Sequence, residues 1–175
     1  KKIPGCQPIK YVYDQADNLI FSQDGVQREK LEWTFYLYDN FHRLTVKGIC
    51  GNTNTSSVSE RIVVCSLNKD DSGIIPDGLE NTGYSSDFEL VSPIIHQVNY
   101  YDDYSFLSDY ESTNTQQSLK YSFEDFPSWL KNKEKGFSAL TIEPVGLQSG
   151  KRSYLDNNTY LLTALYYDKK GRIVQ

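Results

Sequence analysis

Apolar and polar positions alternate with a period of two along much of this chain, the signature of half-buried β-strands. The clearest stretch is Trp33-Thr34-Phe35-Tyr36-Leu37-Tyr38. Trp33, Phe35 and Leu37 fall on one face, and Thr34, Tyr36 and Tyr38 on the other, which carries three hydroxyls and is expected to see water. Arg43 to Ile49 alternates again, so 33–49 reads as strand, turn and strand. Residues 10–49 are expected to form two β-hairpins joined by a loop around Asp24-Gly25, and 51–59 a polar loop. Ser57-Val58-Ser59-Glu60 has capping-box spacing and predicts a short helix over 58–67, although the run Ile62-Val63-Val64 favours a strand. Residues 68–87 read as a long irregular excursion and 88–101 as a strand interrupted at Ser92-Pro93. A polar loop is expected over 108–118. Residues 126–136, with Pro127 early and Gly136 past the end, predict a second short helix. Strands at 138–143 and 152–155 then lead to Tyr160–Tyr167 and a final turn. The expected fold is mainly β: an antiparallel sheet of hairpins with one or two short helices, in a single domain over 1–175.

Three of the turns share a frame. Tyr13-Asp14-Gln15-Ala16-Asp17-Asn18-Leu19 aligns with Tyr38-Asp39-Asn40-Phe41-His42-Arg43-Leu44 and with Tyr167-Asp168-Lys169-Lys170-Gly171-Arg172-Ile173. Asp at the first position and Gly at the fourth suit a type I turn followed by a left-handed residue, the route to a three-residue hairpin loop with a bulge. Asp17 and His42 take the place of Gly171, and both residue types tolerate positive φ. A degenerate fourth copy, Tyr101-Asp102-Asp103-Tyr104-Ser105, has Ser at that place. The copies start at 13, 38, 101 and 167, so only the first interval approaches a regular array.

These motifs resemble the Tyr-Asp (YD) repeat of the Rhs family, whose pattern is Tyr-Asp-x-x-Gly-Arg-Leu. Ala164 to Gln175 is similar to a segment of large Rhs-associated proteins of Bacteroides-type bacteria, as are Phe21-Ser22-Gln23-Asp24-Gly25 and Val98-Asn99-Tyr100-Tyr101-Asp102. The resemblance implies hairpins stacked into a continuous sheet that encloses an effector or forms a surface-displayed scaffold. It also implies an extracellular or cell-surface location and, as main partner, the remainder of a longer chain.

Composition adds constraints. The 175 residues include 14 Tyr, 8 Phe and 2 Trp, an aromatic excess that favours strands. Eighteen basic against twenty-three acidic residues leave a net charge of −5, which argues against a broad attraction to nucleic acid or an anionic bilayer. No apolar run reaches membrane-spanning length, and Lys1-Lys2-Ile3-Pro4-Gly5 is not followed by a signal-type apolar core. Met is absent even at the first position, so the chain is expected to be part of a longer protein. Cys6, Cys50 and Cys65 are an odd number without a C-x-x-C pair. They read as buried free thiols, with a Cys50–Cys65 bridge as the alternative.

Candidate chemistry is sparse. His42 sits in a turn and His96 on a strand, each read as structural; a spatial Cys50–His96 pair is the remote nucleophilic alternative. Asp70-Asp71, Asp102-Asp103 and Glu124-Asp125 are adjacent carboxylates, which point to opposite faces if on a strand. Asn68 to Gly73 imitates half an EF-hand loop without its phase or its closing Glu, and reads as solvated loop. Nucleotide-loop and nucleophile-elbow motifs are lacking. No catalytic residue, metal site or cofactor is expected. The remaining chemistry is aromatic: Trp33, Tyr36 and Tyr38, with Tyr100, Tyr101, Tyr104 and Tyr110, fill a β core or stack on sugar rings. The leading expectation is a non-catalytic structural module, and the alternative is a carbohydrate- or protein-binding module that uses exposed Tyr and Trp.

Overall fold

The computed structural model describes residues 7–55, 58, 60–66, 79, 82–86, 88–107, 144–156, 159–168 and 170–173. It is mainly β. The strands are β1 (Lys10–Tyr13), β2 (Leu19–Gln23), β3 (Trp33–Tyr38), β4 (Leu44–Cys50), β5 (Val64–Ser66), β6 (Tyr84–Ser86), β7 (Ile94–Tyr101), β8 (Gln148–Tyr154) and β9 (Tyr160–Ala164), with one short helix, α1 (Gly25–Lys30). Seven strands make an antiparallel sheet in the order β1-β2-β3-β4-β7-β8-β9, and β5 and β6 pair separately. The chain divides into two compact units. One holds 1–98 and 154–159, the other 99–153 and 160–175.

In the first unit the alternation of β3 is realised, with Trp33, Phe35 and Leu37 buried and Thr34, Tyr36 and Tyr38 half-buried. Antiparallel pairing places Cys50, Gly48 and Val46 of β4 opposite Trp33, Phe35 and Leu37. Opposed residues share a face, so the core forms from one side of each strand. Phe21 lies edge-on to Trp33 at 6.2 Å between ring centres, and Phe88 adds a tilted contact to Phe21 at 5.6 Å. Gly48 is required by close approach, because a Cβ there would sit 2.8 Å from the Phe35 ring and 2.2 Å from the Ile94 carbonyl oxygen.

In the second unit, the Tyr100 and Phe106 rings stack at 4.3 Å and those of Tyr104 and Tyr166 at 4.7 Å. The buried Arg152 guanidinium lies over Tyr160 at 4.5 Å and Tyr100 at 5.7 Å. Tyr104 donates to the Leu165 carbonyl (2.8 Å) and Tyr167 to that of Gln148 (2.6 Å), so the hydroxyls of these packed rings are satisfied.

Several local expectations are corrected. The helix expected over 58–67 is not formed: Val64–Ser66 is strand β5, paired with β6 at Tyr84–Ser86. Capping spacing alone does not offset the cost of nucleating so short a helix, and the β-branched run takes the extended state. The expected loop at Asp24-Gly25 is instead the start of α1. Asp24 caps it by accepting from the Gln27 N–H (2.8 Å), while Gln27 Oε1 accepts from the Asp24 N–H (3.1 Å). The excursion at 68–87 contains β6, and β7 begins only after Pro93. The strand expected at 152–155 spans 148–154. The loop at 108–118, the helix at 126–136 and the strand at 138–143 lie outside the described residues.

Candidate functional site

Three turns carry the molecule's most repeated chemistry. Asp17, His42 and Gly171 have φ of 58°, 61° and 72°, the left-handed conformation expected at the fourth motif position. In each turn that residue's N–H donates to the carbonyl of the motif Asp, at 3.2, 3.1 and 2.9 Å for Asp14, Asp39 and Asp168. The Asp N–H in turn donates to the carbonyl four residues on. One carboxylate oxygen then accepts two backbone N–H groups from within the loop: Ala16 and Asn18 for Asp14, Phe41 and Arg43 for Asp39, and Lys170 and Arg172 for Asp168. The motif Tyr pairs across the turn with Leu or Ile six residues later, as Tyr13 with Leu19, Tyr38 with Leu44 and Tyr167 with Ile173. The Asp is therefore the closing element of the motif, its short stem placing one carboxylate oxygen within reach of both amides.

The second carboxylate oxygen distinguishes the copies. Arg43 Nε donates to Asp39 at 2.6 Å and Arg172 Nε to Asp168 at 2.7 Å. The Arg172 side chain, followed by the loop amides, holds the Asp168 carboxyl down at about 2. In the first turn Asn18 stands where the others have Arg, and its Nδ2 donates to Asp14 at 3.1 Å. Asp14 also accepts from the Ile62 N–H at 3.3 Å. Burial raises the Asp14 pKa, but the N–H donors of Asn18, Ala16 and Ile62 outweigh it and leave the carboxyl below its ordinary value.

The fourth copy is not a hairpin turn. Asp102 itself is left-handed, with φ of 71°, and its carboxylate accepts from the Gly146 N–H at 2.7 Å. Ser105 instead turns its N–H and hydroxyl to Asp103. Without Gly, Asp or His at the fourth place, the motif's backbone geometry does not form.

The outward face of β1–β4 is rich in tyrosine. Tyr11, Ser22, Thr34 and Ile49 are successive cross-strand partners, as are Tyr36, Lys47 and Gln97. Tyr13 and Tyr38 continue it toward the turns. Tyr11 is 41% exposed and Tyr13 53%. Lys47 Nζ lies 5.4 Å over the Tyr36 ring. Partial burial, then neighbouring Tyr36, Asp14 and Tyr13, raises the Tyr38 pKa. None of these cross-strand positions is a carboxylate. Trp33 is not part of this surface, since it lies on the buried face. In the second unit Tyr100 is buried and Tyr104 is packed, its pKa pushed up to about 12 by burial and by Tyr166 and Tyr167. Tyr110 lies outside the described residues.

The other candidates do not converge. His42 occupies its turn, and His96 is exposed on β7. Both described cysteines are free: Cys50 is buried with Thr53 Oγ1 at 3.4 Å, and burial raises its thiol pKa. Cys65 is exposed, which corrects the expectation that it is buried: successive side chains on a strand point to opposite faces, and it is its neighbour Val64 that is buried. Among the described residues no group of three or more His, Cys, Asp or Glu is placed to hold a metal ion, and no helix is long and apolar enough to cross a membrane. Asp70-Asp71 and Glu124-Asp125 lie outside the described residues. Comparison of the chain with protein-family models, with curated proteins and with solved structures finds no match.

Proposed function

We propose that this chain is a non-catalytic structural module of the YD-repeat kind, a segment of a larger exported β scaffold whose main partner is the rest of its own chain. The observation that carries this reading is the repetition of one Asp-closed hairpin turn at Asp14, Asp39 and Asp168, with the same amide donors at the same offsets. Such turns fix register, and a hairpin of this size is marginal alone and gains stability from neighbours. β1 is the first strand in the sheet order, and three of its four residues are exposed. An edge of this kind suits continuation by a further strand. The test is light scattering after size-exclusion chromatography over a concentration series. Mass rising with concentration is expected, and a rigid monomer at every concentration overturns the reading.

A second reading is favoured by the exposed Tyr11 and Tyr13 and the half-buried Tyr36, at cross-strand positions that carry no carboxylate. It makes this surface a binding site for uncharged glycans, through stacking on rings. Saturable binding on a glycan panel that is lost in Tyr11→Ala/Tyr13→Ala would support it.

A further inference from the structure

The first turn departs from the motif at Asp17 and Asn18 and the second at His42, and two of these departures, Asn18 and His42, meet. Asn18 replaces the Arg found at 43 and 172, and His42 replaces the Gly found at 171. A carboxylate oxygen only accepts, so the Asn18 Nδ2 is committed to Asp14 and its Oδ1 is turned the other way. His42 Nδ1 lies 2.9 Å from that Oδ1. The ring must therefore carry its proton on Nδ1 to donate. His42 also holds φ of 61°, a conformation Gly adopts at less cost. We infer that Asn18 and His42 are a matched pair that latches the first hairpin to the second, so that the two turns open together.

A second tie runs parallel to the latch. Arg61 donates from its guanidinium to the Asn40 carbonyl at 2.8 Å, and the next residue, Ile62, donates its N–H to Asp14. Residues 61–62 thus strap both turn ends. The third turn is closed by its own Arg172 and serves as the internal control. The latch is independent of the module and glycan readings.

The test uses the whole 175-residue chain, with imidazole nitrogen NMR and backbone amide exchange. At a pH where the ring is neutral, His42 is expected as the Nδ1–H tautomer. His42→Gly relieves the backbone of the second turn, yet the Asp14 and Asn18 amides of the first are expected to exchange about three- to tenfold faster. Gly171 and Arg172 are expected to be unchanged. His42→Asn keeps tolerance of positive φ and is expected to give the same acceleration, which separates loss of the imidazole from backbone relief. Adding Asn18→Arg to His42→Gly rebuilds a side-chain clamp on Asp14 and is expected to restore slow exchange in the first turn. An Nε2–H tautomer, or changes confined to 39–43 in His42→Gly, overturns the latch.

Discussion

Asp14→Asn is the most informative single change, because it removes a charge and keeps the shape. Asp14 is 6% exposed and accepts four hydrogen bonds, from Ala16 N, Asn18 N, Asn18 Nδ2 and Ile62 N. In the variant, the amide oxygen can keep the two loop N–H groups. The amide nitrogen then faces Asn18 Nδ2 and Ile62 N–H, donor against donor. Hydrogen bonds to a charged group contribute about 1.5–3 kcal/mol each, and an unsatisfied buried donor costs about 1–3 kcal/mol. Rotation of the Asn18 side chain recovers part of this, so the expected loss is about 2–3 kcal/mol. For a chain of this size that corresponds to a fall in Tm of roughly 5–10 °C. Asp17→Asn makes the same charge change in the same turn at an exposed, left-handed residue, and is expected to stay within about 0.5 kcal/mol of the parent. The assay is paired thermal and urea unfolding at neutral pH. If Asp14→Asn costs no more than Asp17→Asn, the carboxylate does not close the turn in the way described.

Gly48→Ala is expected to cost about 2–3 kcal/mol in urea unfolding, because its methyl would meet the Ile94 carbonyl and the Phe35 ring and the strands must part to admit it. Asp168 has a folded pKa of about 2 against an ordinary 3.8, so its contribution to stability is present above about pH 4 and lost as pH falls toward 2. Carboxyl NMR titration should show this low value in the parent and a return toward the ordinary one in Arg172→Ala. Thiol alkylation mapped by mass spectrometry is expected to modify Cys65 in the folded chain and Cys50 only after unfolding, since the latter is buried with a raised pKa.

Short-range chemistry carried much of the fold into the sequence. The period-two pattern of 33–38 determined which side of β3 is buried, because side chains on a strand must alternate. Positive φ at Asp17, His42 and Gly171 followed from residue type at one turn position, and the failure at Ser105 followed from the same rule. Where two local signals competed, tertiary pairing decided. Val64–Ser66 became a strand because Tyr84–Ser86 offered a partner about twenty residues away, and no local pattern announced β6. The helix α1 was legible in principle, since Asp24 and Gln27 stand at capping-box spacing, but the Asp-Gly pair read more strongly as a turn. The Asn18–His42 contact spans 24 residues and depends on the two hairpins lying side by side. Each residue alone looks like a worn copy of its motif, and only the packed sheet puts one opposite the other. The exposure of Tyr11 and Tyr13 on β1 was likewise a tertiary outcome. An aromatic strand has two usable faces, and its neighbours determine which one water reaches.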